Sequence, residues 1–453
     1  MRPALVGGLA PGVGRHGLLR GPGAPLTWLL LFFPLWWALG LGGLIFFIVA
    51  VPMAISLLRR DRVEIPPGFG IWLLFCLVVL VSAVAIGLTP EGTMAGSWTG
   101  RVFGVAFRLV GYASATIICL YTVNLSESDF PRRRLVNLLA ATGVITVVGG
   151  LLGTVAGHLE FTSPMEALLP ESLASDQFVQ SLVHPQAAQV MDFLGYETPR
   201  PAAPWGYTNT WGNMLAIAAP WIAVAVACYP VRPRVKYAAV AILAVALIPT
   251  VYSMNRGLWL NLAVAGVFVA VRFLACGRWW PLTVLAVTGV VALAAVLVTP
   301  LGQIVAARAA NGHSDDGRGY ATMRALAAVP ESPILGFGST RQTVGSGESI
   351  AVGPTKECPR CGGRTLGGNG QLWQVLFAHG VTGALAFVGF FVAVLWRFRR
   401  DHSAIGIVAS VVMVLSLTSM FYYNALVAPL VITLLCYALL WRNERDRAVE
   451  GTT

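Results

Sequence analysis

Charged side chains are scarce in this chain of 453 residues: they make up 11% of it, whereas 56% of the residues are hydrophobic. A typical soluble protein carries about 25% charged residues, and a water-soluble fold of this length cannot hide so much apolar surface. The same scarcity excludes an intrinsically disordered chain, which needs the opposite composition. Because apolar residues run along the whole length, a soluble domain on a single membrane anchor is excluded as well. The composition predicts an all-α, polytopic membrane protein.

Lysine is also scarce, since only Lys236 and Lys356 occur among the 31 basic residues. We attribute this preference for arginine to a GC-rich genome. The basic residues outnumber the 20 acidic ones and give a net charge of +11. Such a surplus can indicate nucleic-acid binding, so its distribution along the chain decides what it means.

Apolar runs long enough to cross a membrane recur along the chain. A spanning helix needs about 20 largely apolar residues. Some of the runs are short, so neighbouring pairs are expected to form tight hairpins or tilted spans. The sequence predicts about twelve spans, at residues 26–40, 42–58, 70–88, 102–123, 136–157, 207–229, 237–252, 258–275, 281–299, 371–396, 404–420 and 422–441.

The distribution of the basic residues agrees with these predicted spans. With the N-terminus in the cytoplasm, 20 basic residues fall in cytoplasmic segments, ten fall in outer segments and Arg108 lies within a span. Short arginine clusters mark cytoplasmic loops, and here every such cluster falls on one side. The surplus is therefore an orientation signal, and we expect no nucleic acid among the partners. The sequence predicts a multi-pass protein of the bacterial plasma (inner) membrane with both termini in the cytoplasm.

This topology divides the chain into membrane regions and soluble segments. Long loops are usually functional or disordered, so the outer face is where we expect the chemistry. The first outer segment also contains an amphipathic stretch, Phe178 to Leu194. The predicted segments are a disordered cytoplasmic tail (1–25), a five-helix membrane region (26–157), an outer segment (158–206), a second membrane region (207–299), a large outer segment between spans 9 and 10 (300–370), a three-helix membrane region (371–441) and a cytoplasmic tail (442–453).

Several arginines stand on the outer side, against the orientation bias. Arg256 lies between two apolar runs at the outer membrane boundary, where it is either a snorkelling anchor or part of an anion site. Arg318 and Arg324 follow in the large outer segment, and each either faces a site or pairs with a neighbouring acid. Arg341 comes after a glycine-rich turn, Pro330–Gly338. A guanidinium offers five fixed donors that suit phosphate.

Two further polar residues lie at or within predicted spans. Asn369 precedes the tenth span and is either its N-cap or part of an anion site at the helix N-terminus. Arg108 lies inside the fourth span, where a charge costs about 2.5–3.5 kcal/mol. No Asp or Glu falls inside the predicted spans to pair with it. We expect Arg108 to face a cavity or a group of carbonyls, or to contact a bound lipid diphosphate.

Cysteines are few, and two of the seven stand close together in the large outer segment, as Cys358-Pro-Arg-Cys361. The spacing resembles half of a zinc knuckle, but a structural zinc site needs four ligands and a second pair is missing. On an oxidising face we favour a local disulfide between Cys358 and Cys361, with free thiols as the alternative. We predict no metal site.

Three segments, in order, resemble the O-antigen ligase and O-antigen polymerase family of bacterial glycan assembly. The first is Tyr207–Asn213, which enters a span after a long outer loop, and the second is Ser253–Arg256. The third, Arg318–Gly338, is continued by residues 369–383. The resemblance covers about residues 207–395, and the twelve predicted spans with a large late outer loop agree with it.

The resemblance implies a membrane glycosyltransferase of the C type. Such proteins take a glycan from a polyprenyl-diphosphate carrier in the lipid bilayer and join it to a glycan or lipid-glycan acceptor, without metal, cofactor or nucleotide sugar. Arg256 and Arg318 are then expected to hold the diphosphate and stabilise it as the leaving group. The further candidate substrate contacts are Asn209, Arg324, Arg341 and Arg108.

One position departs from the family, whose ligases usually carry a histidine where Asn369 stands. An amide cannot act as a general base near neutral pH, so either another residue takes the proton or Asn369 orients the acceptor. His313 is the first candidate base, since the reference pKa of histidine, about 6.5, suits the task. We expect His379, well inside the tenth span, to be a buried structural histidine. The remaining candidates are Asp315, Asp316 and Glu331.

Two other classes of function stay open. A transporter or flippase of lipid-linked glycans also fits twelve spans, but coupled transport usually needs carboxylates within the membrane, and transporters often have broken helices at matched positions. The sequence shows neither. A non-catalytic assembly partner does not need basic residues gathered on outer loops. We therefore favour a ligase or polymerase of cell-envelope polysaccharide.

Overall fold

The computed structural model describes residues 19–94, 97–174, 177–192, 197–298, 302–303, 313–343 and 365–450. Residues 1–18 of the predicted N-terminal tail lie outside this part. The strands are β1 (Thr93–Met94), β2 (Ala188–Asp192), β3 (Glu197–Pro201), β4 (Arg341–Thr343) and β5 (Thr365–Leu366). The helices are α1 (Ala24–Leu31), α2 (Phe33–Ala38), α3 (Ile45–Leu58), α4 (Phe69–Ser82), α5 (Trp98–Val123), α6 (Arg132–Val155), α7 (Pro164–Leu168), α8 (Glu171–Ala174), α9 (Gln177–Val183), α10 (Thr208–Ala218), α11 (Pro220–Cys228), α12 (Pro233–Val245), α13 (Leu247–Tyr252), α14 (Arg256–Ala275), α15 (Trp280–Val298), α16 (His313–Ala328), α17 (Gln371–Arg397), α18 (Ala404–Ser419) and α19 (Ala428–Glu450).

Seven helical segments of the described chain are long and apolar enough to cross a membrane, by length and composition. They are Phe69–Gly87, Trp98–Val123, Arg132–Val155, Thr208–Cys228, Pro233–Tyr252, Arg256–Ala275 and Gln371–Arg397. Shorter apolar helices cover Ile45–Leu58, Leu282–Val291 and Ala404–Ser419. The chain is thus a mainly helical, multi-pass membrane protein. The count of twelve spans and their orientation stay predictions.

Several predicted spans differ from the helices that the structure contains: 207–229 is divided into α10 and α11, and 237–252 into α12 and α13. Two further spans, the first and the last, also differ. The first, 26–40, consists of two short helices, α1 and α2, with Pro34 in the first turn of α2. A proline has no N–H to donate to the preceding turn and its ring crowds the carbonyl there, so one continuous helix does not form. The last, 422–441, begins later, because α19 starts at Ala428 and residues 420–427 form a turn.

Aromatic side chains fill the interface between α4, α5 and α17. Trp72 of α4 packs on Phe390 of α17 with ring centroids 5.3 Å apart. Phe75 of α4 meets Phe387 of α17 at 5.1 Å and Tyr112 of α5 at 5.0 Å. All five rings are buried. Because lipid tails are as apolar as these side chains, close packing is what holds membrane helices together.

Glycines of α6 let the first outer segment approach the backbone of this helix. A Cβ atom at Gly149 would lie 2.3 Å from the carbonyl oxygen of Ala203, and one at Gly153 would lie 2.4 Å from that of Ala187. Small residues permit such close contacts between backbones. The strands β2 and β3 are therefore held against the membrane helices.

The outer segments carry the two small antiparallel sheets. In the first, β2 and β3 form a hairpin in which Ala188 pairs with Pro201 and Asp192 pairs with Glu197. The predicted amphipathic stretch falls on α9 and β2, so it is not one continuous element. The second sheet has the order β1-β4-β5 and joins the chain after α4 to residues 341–343 and 365–366 of the large outer segment.

The helix bundle has two ends with different chemistry. At the basic end, Arg60 donates to the carbonyl oxygen of Asn124 at 2.5 Å, and Arg445 lies 3.0 Å from Glu64. At the opposite end, which we call the loop end, the outer segments meet the turns between helices. The described parts of the basic end are residues 59–68, 124–134, 229–232, 276–279, 397–403 and 442–447. Those of the loop end are residues 86–94, 156–174, 177–192, 197–207, 253–256, 313–343, 365–371 and 420–427.

Candidate active site at the loop end

A buried asparagine places Arg256 at the start of α14. Asn255 is the N-cap of this helix: its Oδ1 accepts hydrogen bonds from the N–H of Leu258 at 3.3 Å and from the hydroxyl of Tyr423 at 2.5 Å. Its Nδ2 donates to the carbonyl oxygen of Thr208 at 3.2 Å. Such a cap satisfies an N–H group that the helix leaves unpaired. Three segments of the loop end thus meet beside Arg256, which is half-buried.

Tyr423 interacts electrostatically with arginines of two other segments. Tyr423 lies in the turn before α19 and is 3% exposed. Burial raises its pKa, and the charges of Arg318 and Arg200 oppose this rise because they favour the phenolate. Arg200, in β3, is held by a hydrogen bond from its Nε to the carbonyl oxygen of Ser253 at 2.6 Å. Arg318 of α16 and Arg200 therefore lie within electrostatic reach of the residue that contacts Asn255.

The glycine-rich turn at residues 333–338 docks on a break in α17. Gly380 has a φ of +67° and a ψ of −172°, which interrupts the helix. The N–H of Val381 donates to the carbonyl oxygen of Pro333 at 2.7 Å, and two N–H groups of the turn donate to carbonyl oxygens of α17 at 3.0 and 2.8 Å. A Cβ atom at Gly380 would lie 2.3 Å from the carbonyl oxygen of Ile334. Only glycine fits here.

Arg108 and Arg341 hold the residues that follow this turn. Arg108, from α5, donates to the hydroxyls of Ser339 at 3.0 Å and Thr340 at 3.1 Å. Arg341 donates to five backbone carbonyl oxygens at 2.8–3.2 Å. Burial, with repulsion from Arg101 and Arg108, lowers the pKa of Arg341 to about 10, so it stays charged at neutral pH. Both predicted substrate contacts are engaged by the protein itself, and their contact with a substrate stays a prediction.

Arg324 and Asn209 occupy different surroundings at the loop end. Arg324 is exposed on α16, and its guanidinium lies against Gly92, where an added Cβ would be 2.1 Å from its Nη2. Asn209 is half-buried in the first turn of α10, one residue after Thr208. The structure therefore shows no contact between the described residues Arg324 and Asn209. Their predicted roles in binding the substrate stay predictions.

Asn369 is half-buried, but it is not the N-cap of α17. That position is Gly370, and no side chain caps the helix. The first N–H groups of the helix, including that of Gln371, donate instead to carbonyl oxygens in the turn 420–427 at 2.8 and 2.9 Å. The side chain of Gln371 donates to the hydroxyl of Tyr112 at 2.8 Å. The capping interpretation of Asn369 is therefore wrong, whereas its proposed role at an acceptor stays a prediction.

Histidine 379 is 1% exposed, and its Nδ1 lies 2.6 Å from the hydroxyl of Ser82. The prediction that His379 is buried is confirmed. The carboxylate of Glu331 accepts hydrogen bonds from the N–H of Glu91 at 3.2 and 3.3 Å. Five other predicted residues have side chains outside the described part of the chain: His313, Asp315, Asp316, Cys358 and Cys361. His313 is nonetheless the first residue of α16.

Sequence reasoning missed a histidine–glutamate pair in the first outer segment. The Nδ1 of His184 lies 2.8 Å from the Oε2 of Glu166, beside a polar cavity of about 630 Å³. The two residues are 18 positions apart and meet only because the chain folds back between α7 and α9. The pattern Ser163-x-x-Glu166 predicts a capping box, which the structure contains, and this was the available signal for the position of Glu166.

Among the described residues, no group of three or more His, Cys, Asp or Glu side chains is placed to hold a metal ion. No protein-family model, curated protein or solved structure matches the chain. A functional assignment therefore depends on the chemistry of the chain's own residues.

Proposed function

We propose that the protein is a metal-independent membrane glycosyltransferase, similar to the O-antigen ligase and polymerase family in its C-type architecture. It transfers a glycan from a polyprenyl-diphosphate carrier to an acceptor on the outer face of the bacterial plasma membrane. The product is a cell-envelope polysaccharide, made by ligation or by polymerisation.

The observation that carries this proposal is the positive charge around Asn255 at the loop end. Arg256 follows Asn255 directly, and the charges of Arg318 and Arg200 act on Tyr423, which donates to Asn255 at 2.5 Å. A diphosphate carries about two negative charges at neutral pH, which one arginine neutralises poorly. Several guanidinium groups from separate segments can together neutralise a diphosphate at the edge of a membrane.

The proposed reaction uses these charges on the leaving group. An acceptor oxygen forms a bond to the anomeric carbon of the donor glycan, and the bond from this carbon to the diphosphate oxygen breaks. The electron pair of that bond leaves with the diphosphate. Arg256 and Arg318 stabilise the charge that develops there, and fixed donors of this kind lower a barrier more than mobile water does.

An apolar cleft beside the polar cavity of the first outer segment is consistent with a lipid-linked donor. The cleft has a volume of about 130 Å³. Its lining includes six aromatic residues, Phe33, Trp37, Phe46, Phe107, Trp205 and Tyr207. It shares His184 and Tyr207 with the polar cavity of the first outer segment. A donor with a glycan at one end and a polyprenyl chain at the other needs polar and apolar surfaces in contact.

The test is replacement of the two central arginines in a deletion strain complemented with the variant chain. We expect Arg256→Ala and Arg318→Ala each to lower glycan transfer by at least about 100-fold, because each removes a donor to the leaving group. The control is Arg397→Ala at the basic end, which breaks an exposed ion pair with Glu444 at 2.7 Å and should transfer normally. Envelope glycan is measured by electrophoresis and protein by immunoblot. Normal transfer in both loop-end variants contradicts the proposal.

The position of the accumulated donor separates this function from the alternative, a flippase of lipid-linked glycans. When a transferase is lost, the lipid-linked glycan accumulates on the outer face, where an added impermeant glycosidase or periodate reaches it. When a flippase is lost, the same lipid accumulates on the cytoplasmic face and is protected in intact cells. Protected donor in the Arg256→Ala strain favours the flippase.

A further inference from the structure

The polar cavity of the first outer segment has the features of a site for a hydroxylated ligand. It has a volume of about 630 Å³ and opens to solvent. Gln180, Gln186 and Gln189 line it and offer both donors and acceptors. Tyr207, which is 44% exposed, adds an aromatic face. Amide groups beside an exposed aromatic ring suit a sugar, which has hydroxyls around its edge and C–H groups on its faces.

One imidazole in this cavity is oriented by a carboxylate. The Nδ1 of His184 lies 2.8 Å from the Oε2 of Glu166. Because a carboxylate only accepts hydrogen bonds, the proton of a neutral His184 stays on Nδ1 and the lone pair on Nε2. Glu166 is itself held in a capping box, in which its N–H donates to the Oγ of Ser163 at 3.0 Å and the N–H of Ser163 donates to Oε2 at 3.3 Å.

The imidazole of His184 is partly exposed, and its Nε2 has no hydrogen-bond partner within 3.5 Å among the described residues that line the cavity. The side chain is 28% exposed, whereas that of Glu166 is 12% exposed. Glu160 is the other carboxylate near the ring, and its Oε2 lies 3.9 Å from Nε2, beyond hydrogen-bonding distance. His158 and Tyr207 are the remaining titratable groups among the described residues that line the cavity. An imidazole held by one carboxylate with its second nitrogen open is the arrangement of a general base.

The cavity adjoins Asn255 and Arg256 through a short chain of contacts. Tyr207, at its rim, is followed by Thr208, whose carbonyl oxygen accepts from Asn255 at 3.2 Å. The hydroxyl of Thr208 donates to the carbonyl oxygen of Arg200 at 3.2 Å. Asn255 precedes Arg256. The cavity and the proposed diphosphate site are therefore neighbours on the loop end.

We propose that this cavity binds the acceptor glycan and that His184, positioned by Glu166, is the general base of the transfer. This inference rests on the proposed glycosyltransferase function, which lacks a base at Asn369. The Nε2 of His184 takes the proton of the acceptor hydroxyl as its oxygen bonds to the anomeric carbon and the diphosphate leaves with the electron pair. The proton then passes from Nε2 to water, so the histidine is restored.

The experiment adds purified full-length variants to detergent-opened membranes of the deletion strain, which retain both donor and acceptor. His184→Gln keeps a donor toward Glu166 but cannot take a proton, so we expect kcat to fall about 10²–10⁴-fold. The matched control is His402→Gln at the basic end, where His402 contacts Cys276, and its rate should equal that of the wild type. Wild-type rates in His184→Gln overturn the inference.

The pH profile separates catalysis from a structural role. Because a general base works only when unprotonated, kcat of the wild type should fall at acid pH, and this fall should be absent in His184→Gln. Glu166→Gln should lower kcat more than it changes KM, since the carboxylate of Glu166 is engaged by His184 and by the capping box. An unchanged acid limb in His184→Gln assigns the proton transfer to another group. Variants that lose thermal stability along with activity are replaced by His184→Asn.

The outcomes for the base and for the proposed function differ. If Arg256→Ala is inactive and His184→Gln is normal, the glycosyltransferase proposal stands and the inference about His184 fails. If Arg256→Ala and Arg318→Ala both transfer normally, the proposed function fails, whatever the result for His184.

Discussion

The two ends of the helix bundle differ in the partners of their arginines. At the basic end, Arg445 pairs with Glu64 and Arg447 with Asp401, both at 3.0 Å. At the loop end, Arg108 and Arg341 donate to hydroxyls and backbone carbonyls, and among the described residues neither forms an ion pair with a carboxylate. Charge is neutralised in these two pairs of the basic end and retained by Arg108 and Arg341, although Arg60 of the basic end also donates to a backbone carbonyl oxygen.

The difference indicates which end is organised for an anion. A buried arginine bonded only to neutral groups keeps its whole positive charge, and the low dielectric of the surroundings extends its reach. An arginine paired with a carboxylate has little effect beyond its partner. The resulting contrast supports a negatively charged substrate at the loop end.

The largest loss of stability at the loop end is expected from a substitution that disturbs its backbone. We expect Gly380→Ala to lower the free energy of unfolding by about 3 kcal/mol, because a Cβ is strained at this φ and would lie 2.3 Å from the carbonyl oxygen of Ile334. The matched control is Gly389→Ala in the same helix, where the nearest atom belongs to Ile71 at 3.9 Å. That variant should be unchanged or more stable by up to about 1 kcal/mol. Thermal unfolding in detergent measures both, and equal values for the two contradict the docking of the turn.

A smaller effect should follow from removing the arginine that holds the next residues. Arg108→Met deletes hydrogen bonds to Ser339 and Thr340, and hydrogen bonds to charged groups contribute about 1.5–3 kcal/mol each. Some of this is recovered because a buried charge is removed, so we expect a net loss of about 2 kcal/mol. Hydrogen exchange should increase at residues 337–343 in particular. The comparison is Arg397→Ala, whose exposed ion pair contributes less than about 1 kcal/mol. Equal hydrogen exchange at residues 337–343 in both variants argues against the conclusion that Arg108 holds these residues.

The smallest expected effect concerns acid at the basic end. Burial raises the pKa of Asp401, but hydrogen bonds from Ser403 and Asn443 and the charge of Arg447 outweigh it, so the net pKa is lowered from 3.8. Because the folded-state pKa is the lower one, Asp401 stabilises the fold above the unfolded-state value of about 3.8 and loses this contribution as the pH falls through the folded-state value.

The measurement is thermal unfolding of the wild type and of Asp401→Asn between neutral pH and about pH 3. Asp401→Asn should start less stable and lose less stability on acidification. A parallel loss in the two chains excludes Asp401 as the titrating group.

Much of the architecture was predictable because it depends on composition. Apolar runs long enough to span a membrane identified α4, α5, α6 and α17, and the prediction of a buried His379 was correct. The boundaries were less predictable. Pro34 divides the first span, and backbone carbonyls of a distant turn, in place of the predicted cap Asn369, satisfy the first N–H groups of α17. No pattern within residues 365–371 predicts that the N–H of Gln371 donates to Tyr423, a residue more than 50 positions away.

The sequence by itself determined that the chain crosses a membrane, that its arginine clusters lie together and that the segments of the opposite end carry further arginines, since these follow from hydrophobicity and charge along the chain. Only the tertiary structure decided what those arginines touch. Arg341 and Arg108 clamp a turn, the charge of Arg318 reaches Tyr423, and His184 meets Glu166. The physical reason is range: the hydrophobic effect is read from local composition, whereas a hydrogen bond requires two groups within about 3 Å, and here the folding of distant segments brings them together.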